Sequence, residues 1–395
     1  QLMHWSVMIM AMDSSIFIAN LRFIMASPSP SFAELREPLL AWGAWFRESP
    51  QQPSWEGLAA QTAALNPWFE EAMLRHAVEA WSEALSPREI EAWLSEAENL
   101  APNERTTREI GLVLPGNLPL VGLHDVLCVL VSGHRAQVKL SSDDAGLTPW
   151  ALEGLSRFWP PFGSMVQVVD RVVRPDAVIA TGSESALPYF EQYFGHLPRL
   201  IRGHRNSTAI VWGDEEEADW QGLASDVFLY YGKGCRNVSR ILVPKGYDPT
   251  RVLDGLRTWE WKGENHRYRN NLDYQMALQI IDRQPFLQNG SLVLRQNADP
   301  RSPLGVLHWE EFQNHSELLG LVQPWLEQTQ CFVGKNLTER LDPHGEIQQS
   351  LGPEKWKTFQ KQWTAPGQTQ KPGLRQYADG IDTMEFLLNL DAPLR

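Results

Sequence analysis

The chain is poor in cysteine: its 395 residues hold three, at Cys128, Cys235 and Cys331, with no C-x-x-C spacing. That pattern argues against a disulfide framework and a cysteine-rich zinc site, so no metal is expected and a reducing cytoplasm is the expected compartment. Basic charge is also scarce, with 35 lysines and arginines against 48 acidic residues and a formal net charge of −13. No polybasic run offsets this balance, which speaks against nucleic acid or an anionic membrane as a partner held by charge. The motifs G-x-G-x-x-G and G-x-x-x-x-G-K-[ST] are missing, and with them the ordinary dinucleotide and P-loop fingerprints. The apolar stretch from Leu2 to Met25 is interrupted by Asp13, Asn20 and Arg22, so no integral membrane span is expected. It also lacks the basic start and clean cleavage site of a secretory signal. Beginning at Gln1, it reads as an appended extension, with a natural start at Met25 and Ala26 to Ser31 as a linker.

A hydrophobic share of 43% and 17 tryptophans suffice for a large core, and the length suggests roughly two or three domains. From about Phe32 to Leu100 the pattern is helical. Leu39, Leu40, Trp42, Trp45 and Phe46 recur at helix spacing, and Pro53, Pro67 and Pro87 cut the region into short helices. Ser86-Pro87-Arg88-Glu89 reads as a helix start with proline in the first turn. Nothing in this layer carries chemistry.

At Ile110 the pattern changes to short apolar strands alternating with helices. Strands are expected at Ile110–Pro115, Ala136–Leu140, Met165–Val169 and Ala177–Ala180, with helices over Leu120–Ser132 and Leu147–Phe158. Thr181 and Glu184 are spaced as a capping box for a further helix. The rhythm predicts a doubly wound α/β fold whose ligand lies beyond the carboxyl ends of the strands, where Asn117, Lys139 and Thr181-Gly182-Ser183 fall. A second α/β unit follows: Leu200-Ile201, Ala209–Trp212, Ile241–Pro244, Ser291–Leu294, Leu304–Leu307 and Cys331–Val333 are its expected strands.

Within this second unit lies Tyr230-Tyr231-Gly232-Lys233-Gly234-Cys235-Arg236-Asn237-Val238-Ser239. Its glycines permit a loop apex from which the thiol stands clear, and Lys233 and Arg236 are expected to favour the thiolate, the nucleophilic form. An incidental cysteine in a turn is the competing reading.

Leu114-Pro115-Gly116-Asn117-Leu118-Pro119, Ser132-Gly133-His134, Val138–Ser142, Ala180–Ser183, the thiol stretch and Tyr377–Thr383 together resemble the bacterial long-chain acyl-CoA reductases. These are relatives of the luminescence fatty-acid reductase subunit, within the aldehyde dehydrogenase superfamily. The likeness runs from about Ile110 to the C-terminus, and the Gly116-Asn117 and Gly234-Cys235 blocks are its most specific parts. It implies an aldehyde dehydrogenase-like fold, with a doubly wound cofactor domain and an α/β thiol-bearing catalytic domain. The expected division is 1–31 extension, 32–105 helical segment, 106–203 cofactor domain, 204–360 catalytic domain and 361–395 returning to the cofactor domain or an oligomer interface.

The resemblance also assigns roles. Cys235 matches the acyl-accepting thiol, and Asn117 the amide that with the thiol residue's N–H forms an oxyanion hole. Lys139 matches the lysine that reaches the adenosine ribose; Ser141 and Ser142 stand where hydrolytic relatives carry proline and an acid, which is compatible with NADPH, NADH remaining open. Thr181, Gly182 and Ser183 match the turn near the nicotinamide and pyrophosphate. Where hydrolytic relatives carry the deacylating glutamate, this chain has Arg202-Gly203-His204-Arg205-Asn206-Ser207, without a carboxylate. His204 is a candidate acid/base group and Glu310 a candidate orienter of a base, against structural roles for both. The implied activity is reduction of an acyl-CoA or acyl-carrier thioester to a fatty aldehyde through an acyl-cysteine, in a homo-oligomer, with an acyl-protein synthetase as an implied partner. A CoA-acylating aldehyde dehydrogenase using NAD and a non-catalytic acyl-binding subunit are the alternatives.

Overall fold

The computed structural model describes residues 30–102, 105–144, 146–342 and 345–390; the expected extension, apart from its last two residues, lies outside them. The chain opens with helices α1 (Phe32–Glu48), α2 (Ser54–Leu65), α3 (Glu71–Ala84) and α4 (Pro87–Leu100). Ser31 and Glu34 close a capping box at the start of α1, which satisfies amide groups that would otherwise lack partners. The apolar faces of α1 and α4 bury Trp42, Phe46 and Trp93 completely.

Next come β1 (Glu109–Val113), α5 (Leu123–Val131), β2 (Arg135–Lys139), α6 (Leu147–Phe158), β3 (Val166–Val168), β4 (Ala177–Thr181), α7 (Leu187–Phe194) and β5 (Arg199–Arg202). The strands form a parallel sheet in the order β3-β2-β1-β4-β5. Ile110, Leu112, Val138, Val178 and Ile179 are buried, as expected for a sheet covered on both faces. Chain direction across the sheet reverses between β1 and β4. Val113 pairs with both Lys139 and Ala180, so the loops after β1, β2 and β4 emerge together on one edge. The expected capping box after β4 does not form: Thr181 stays in the strand, α7 starts at Leu187, and Ser183 bonds Ser185 instead.

The second unit comprises β6 (Asn206–Ile210), α8 (Glu217–Phe228), β7 (Val238–Pro244), α9 (Thr250–Gly255), α10 (His266–Ile281), β8 (Leu287–Gln288), β9 (Val293–Gln296), β10 (Val306–Phe312), α11 (His315–Val322), β11 (Thr329–Val333), α12 (Leu337–Arg340), α13 (Glu346–Lys361) and β12 (Trp363–Thr364). Its sheet runs β12-β11-β6-β7-β10-β9-β8, parallel except for the β8–β9 pair. Strand β10 continues through Trp309-Glu310-Glu311.

The C-terminal segment crosses back. Leu374 and Tyr377, with Met384, Leu387 and Leu388 of α14 (Thr383–Leu388), join the core of the first sheet. Helix α3 faces both halves: Leu74, Ala77 and Val78 belong to the first core and Met73 to the second. Among the described residues no helix is long and apolar enough to cross a membrane.

Candidate active site

The loop between α8 and β7 carries Cys235 and is pinned at nearly every residue. Gly234 N–H donates to Asn237 Oδ1 at 2.9 Å, and Asn237 Nδ2 donates to the Asp226 and Leu229 carbonyls at 2.9 and 2.8 Å. Ser207 Oγ donates to the Cys235 carbonyl at 3.0 Å and accepts from Cys331 N–H at 3.1 Å. The β6–β7 and β6–β11 registers both shift beside Ser207, so the sheet is irregular beneath the thiol loop. Arg236 donates to the Gln376 carbonyl at 2.9 Å and to Cys331 Sγ at 3.4 Å.

The backbone entering this loop is strained. Tyr230, Tyr231 and Gly232 have φ of 55°, 58° and 72°, in the left-handed region that two tyrosines seldom adopt. Both phenols are anchored from the N-terminal helical segment. Tyr230 Oη lies 3.1 Å from His76 Nδ1; Tyr231 Oη donates to Glu70, which also accepts from Lys262 Nζ at 2.6 Å. Burial lowers the His76 pKa to about 4, so its ring is neutral at pH 7.

Asn117 comes to the thiol loop from the first unit. Its Nδ2 donates to the Lys233 carbonyl at 2.9 Å, two residues before Cys235. A side chain at Gly234 would stand 2.8 Å from Leu118 Cδ1, so glycine is what lets the Asn117 and Cys235 loops touch.

The thiol is not poised as the neighbouring basic residues led us to expect. Part of the Cys235 surface is accessible, but protein surrounds the sulfur, and burial pushes its pKa up to about 11. Arg236 opposes the shift and Asp379 adds to it, both less than burial does. The Lys233 ammonium sits 4.5 Å above the Trp68 ring instead of beside the sulfur.

A cavity of about 170 Å³ reaches Cys235. Its wall is mostly apolar, with Leu118, Val121 and Leu374 on one part and Ala77, Ala80 and Ala84 of α3 on another. Among the described residues no aspartate or glutamate lines it. Asp379, whose charge raises the thiol pKa, is ion-paired to Arg205 at 3.1 Å and is itself held above its ordinary pKa by burial. His124 also lines the cavity, with Nε2 2.9 Å from the Leu374 carbonyl and burial holding its pKa down.

Two other candidates lie elsewhere. His204 is exposed on the β5–β6 loop and does not line the Cys235 cavity. Glu310 lies within β10, paired to the buried Arg240, and borders a different cavity. Neither lines the Cys235 cavity, and Glu310 is engaged by its arginine.

The first sheet's carboxyl edge gathers the residues expected to hold a dinucleotide. A Cβ on Gly116 would stand 2.4 Å from Ser141 Oγ, so the loops after β1 and β2 are closely apposed. Lys139 is exposed at the end of β2, Ser183 is exposed after β4, and Thr181 and Gly182 are half-buried beside it. All lie at the carboxyl ends of β1, β2 and β4, the edge where open parallel sheets usually take their ligands.

No family model and no curated protein matches the sequence. Solved structures do match. The NAD-dependent aldehyde dehydrogenase of Sinorhizobium meliloti is 17% identical over 79% of this chain and 72% of its own, with a TM-score of 0.57. This is the aldehyde dehydrogenase fold. The indole-3-acetaldehyde dehydrogenase of P. syringae, crystallised with NAD+ and IAA, is 15% identical over 82% of this chain and 75% of its own, at a TM-score of 0.58. An E. coli NADP-dependent enzyme is 13% identical over 78% and 75%, at 0.57.

Residue pattern had not revealed Ser207, the Tyr230 and Tyr231 anchors, or the alanine face of α3. The spacing of Ala77, Ala80 and Ala84 was readable as one helix face, but an alanine face ordinarily means close helix packing.

Proposed function

We propose that this chain is a nicotinamide-dependent oxidoreductase acting between acyl thioester and aldehyde, and that it reduces long-chain acyl-CoA with NADPH. The observation that carries this reading is the meeting of the Asn117 and Cys235 loops at an apolar cavity whose lining contains no carboxylate.

Cys235 attacks the thioester carbonyl. The Cys235–acyl bond forms, the acyl–CoA sulfur bond breaks, and the thiol proton leaves with CoA. The second N–H of the Asn117 amide and the backbone N–H of Cys235 are the donors assigned to the oxyanion. With no carboxylate among its described lining residues, the cavity lacks the carboxylate base that activates a deacylating water, and the acyl-cysteine is expected to persist. Lys139, Ser141, Thr181, Gly182 and Ser183 would hold the cofactor, which supplies the hydride when bound. Hydride and one proton then convert the acyl-cysteine to aldehyde and regenerate the thiol. His204 and Glu310 have no step in this scheme.

Cys235→Ala is expected to abolish NADPH-dependent aldehyde formation from palmitoyl-CoA while the protein still binds NADPH. Full reductase activity in that variant would refute the assignment.

A further inference from the structure

The geometry points to the alanine face of α3 as the wall along which the substrate's acyl tail lies, and to its bulk as the determinant of the longest chain accepted; this rests on the thioester reading above. Ala77, Ala80 and Ala84 line the Cys235 cavity, and each is buried, with no more than 9% of its surface exposed. Three, four and seven residues apart, they share one side of the helix, and they extend roughly 10 Å along it at 1.5 Å per residue. Leu118 and Val121 from the loop after β1 also line the slot. Trp81 lies between the alanines in sequence and also lines the cavity, packed 6.0 Å from Trp42 and 6.5 Å from His124 between ring centroids, so the helix is fixed in rotation.

The wall's chemistry selects its occupant. The alanine, leucine and valine part of the wall offers no hydrogen bonds, so the amides of a CoA pantetheine arm would be unsatisfied against it; the polar lining residues are His124, Tyr230, Arg236, Gln370 and Gln376. A methylene chain loses nothing in such a slot. Because the acyl carbon must reach Cys235, a chain seated against α3 has its length measured from the thiol. A residue bulkier than alanine on this face would shorten the slot.

The test uses Ala80→Leu, which keeps a strong helix former, and Val121→Phe on the facing, exposed loop, where the core is not disturbed. Acylation of Cys235 is followed by intact mass with butanoyl-CoA and palmitoyl-CoA, without cofactor. Each displaced methylene costs about fourfold in affinity, so the palmitoyl-to-butanoyl rate ratio is expected to fall at least about tenfold in both variants. A ratio within about twofold of the parent protein in both folded variants would overturn the inference.

A second readout needs no thioester chemistry: dodecanoate should protect Cys235 from N-ethylmaleimide in the parent protein and fail to do so in Ala80→Leu. Protection without acylation by any acyl-CoA would keep the wall and refute the reductase. Acylation by every chain length without protection, and with unchanged ratios, would do the reverse.

Discussion

At the level of single residues the account turns on a neutral thiol. Burial raises the Cys235 pKa to about 11, above the ordinary thiol range, so the folded protein holds the proton through neutral pH. Thiolate then increases about tenfold per pH unit up to that value. Iodoacetamide modification of Cys235, followed by peptide mass mapping, should keep accelerating through pH 10, where a free cysteine peptide has levelled off. A plateau by pH 8 would show that the Arg236 guanidinium outweighs burial. Sequence spacing alone suggested the opposite, because adjacency of Lys233 and Arg236 says nothing about where their charges point. Lys233 turns to Trp68 and Arg236 to the Gln376 carbonyl. Asn117 carries a second residue-scale prediction. Removing one oxyanion donor typically costs about 10²–10³ in rate, and Asn117→Ala should slow acylation by that order with little change in substrate affinity. An unchanged rate would remove Asn117 from the oxyanion site and leave it a tether between loops.

Among the elements, the segment entering the thiol loop stores strain. Left-handed tyrosines cost of order 1–3 kcal/mol each, so Tyr230 and Tyr231 hold this shape only while their phenols are anchored. Tyr231→Phe removes the hydrogen bond to Glu70 and is expected to cost about 1–2 kcal/mol in urea unfolding. It should also speed amide exchange at Cys235 and raise its alkylation rate at pH 8, because a slackened loop admits water to the sulfur. Unchanged exchange at Cys235 would show that Ser207 and Asn237 hold the loop without the tyrosines. The thiol loop itself was legible from its glycines. Its anchors were not, since Glu70, just before α3, and His76 within it lie about 160 residues upstream and look like ordinary solvent-facing polar residues. The surroundings of Glu310 were hidden for a related reason: a Trp-Glu-Glu run has no strand signature, yet β10 carries it beside β7, where Glu310 pairs with the buried Arg240. The polar helix α13, with its Gly352-Pro353 kink, left no apolar period to find.

Across the whole molecule, alternating strands and helices made the two sheets legible, because buried parallel strands read as short apolar runs. The return of the C-terminal segment is held by a buried charge cluster. Arg202 pairs with Asp125 through two contacts at 2.7 and 2.5 Å and donates to Thr383 Oγ1 at 2.7 Å. Arg202→Met should cost about 3–5 kcal/mol by leaving Asp125 buried and unpaired, and adding Asp125→Leu should restore most of it in urea unfolding. Equal losses in the single and double variants would show that the arginine matters through Thr383 rather than through its acid. This packing brings α3, the loop after β1 and the strap of residues 370–378 around one thiol. The central claim is that this thiol accepts an acyl group. Mixing the protein with palmitoyl-CoA, without cofactor, and recording its intact mass tests that claim most directly. The account predicts one palmitoyl adduct that maps to Cys235 and disappears as aldehyde forms when NADPH is added; a folded protein that never gains the adduct would contradict it.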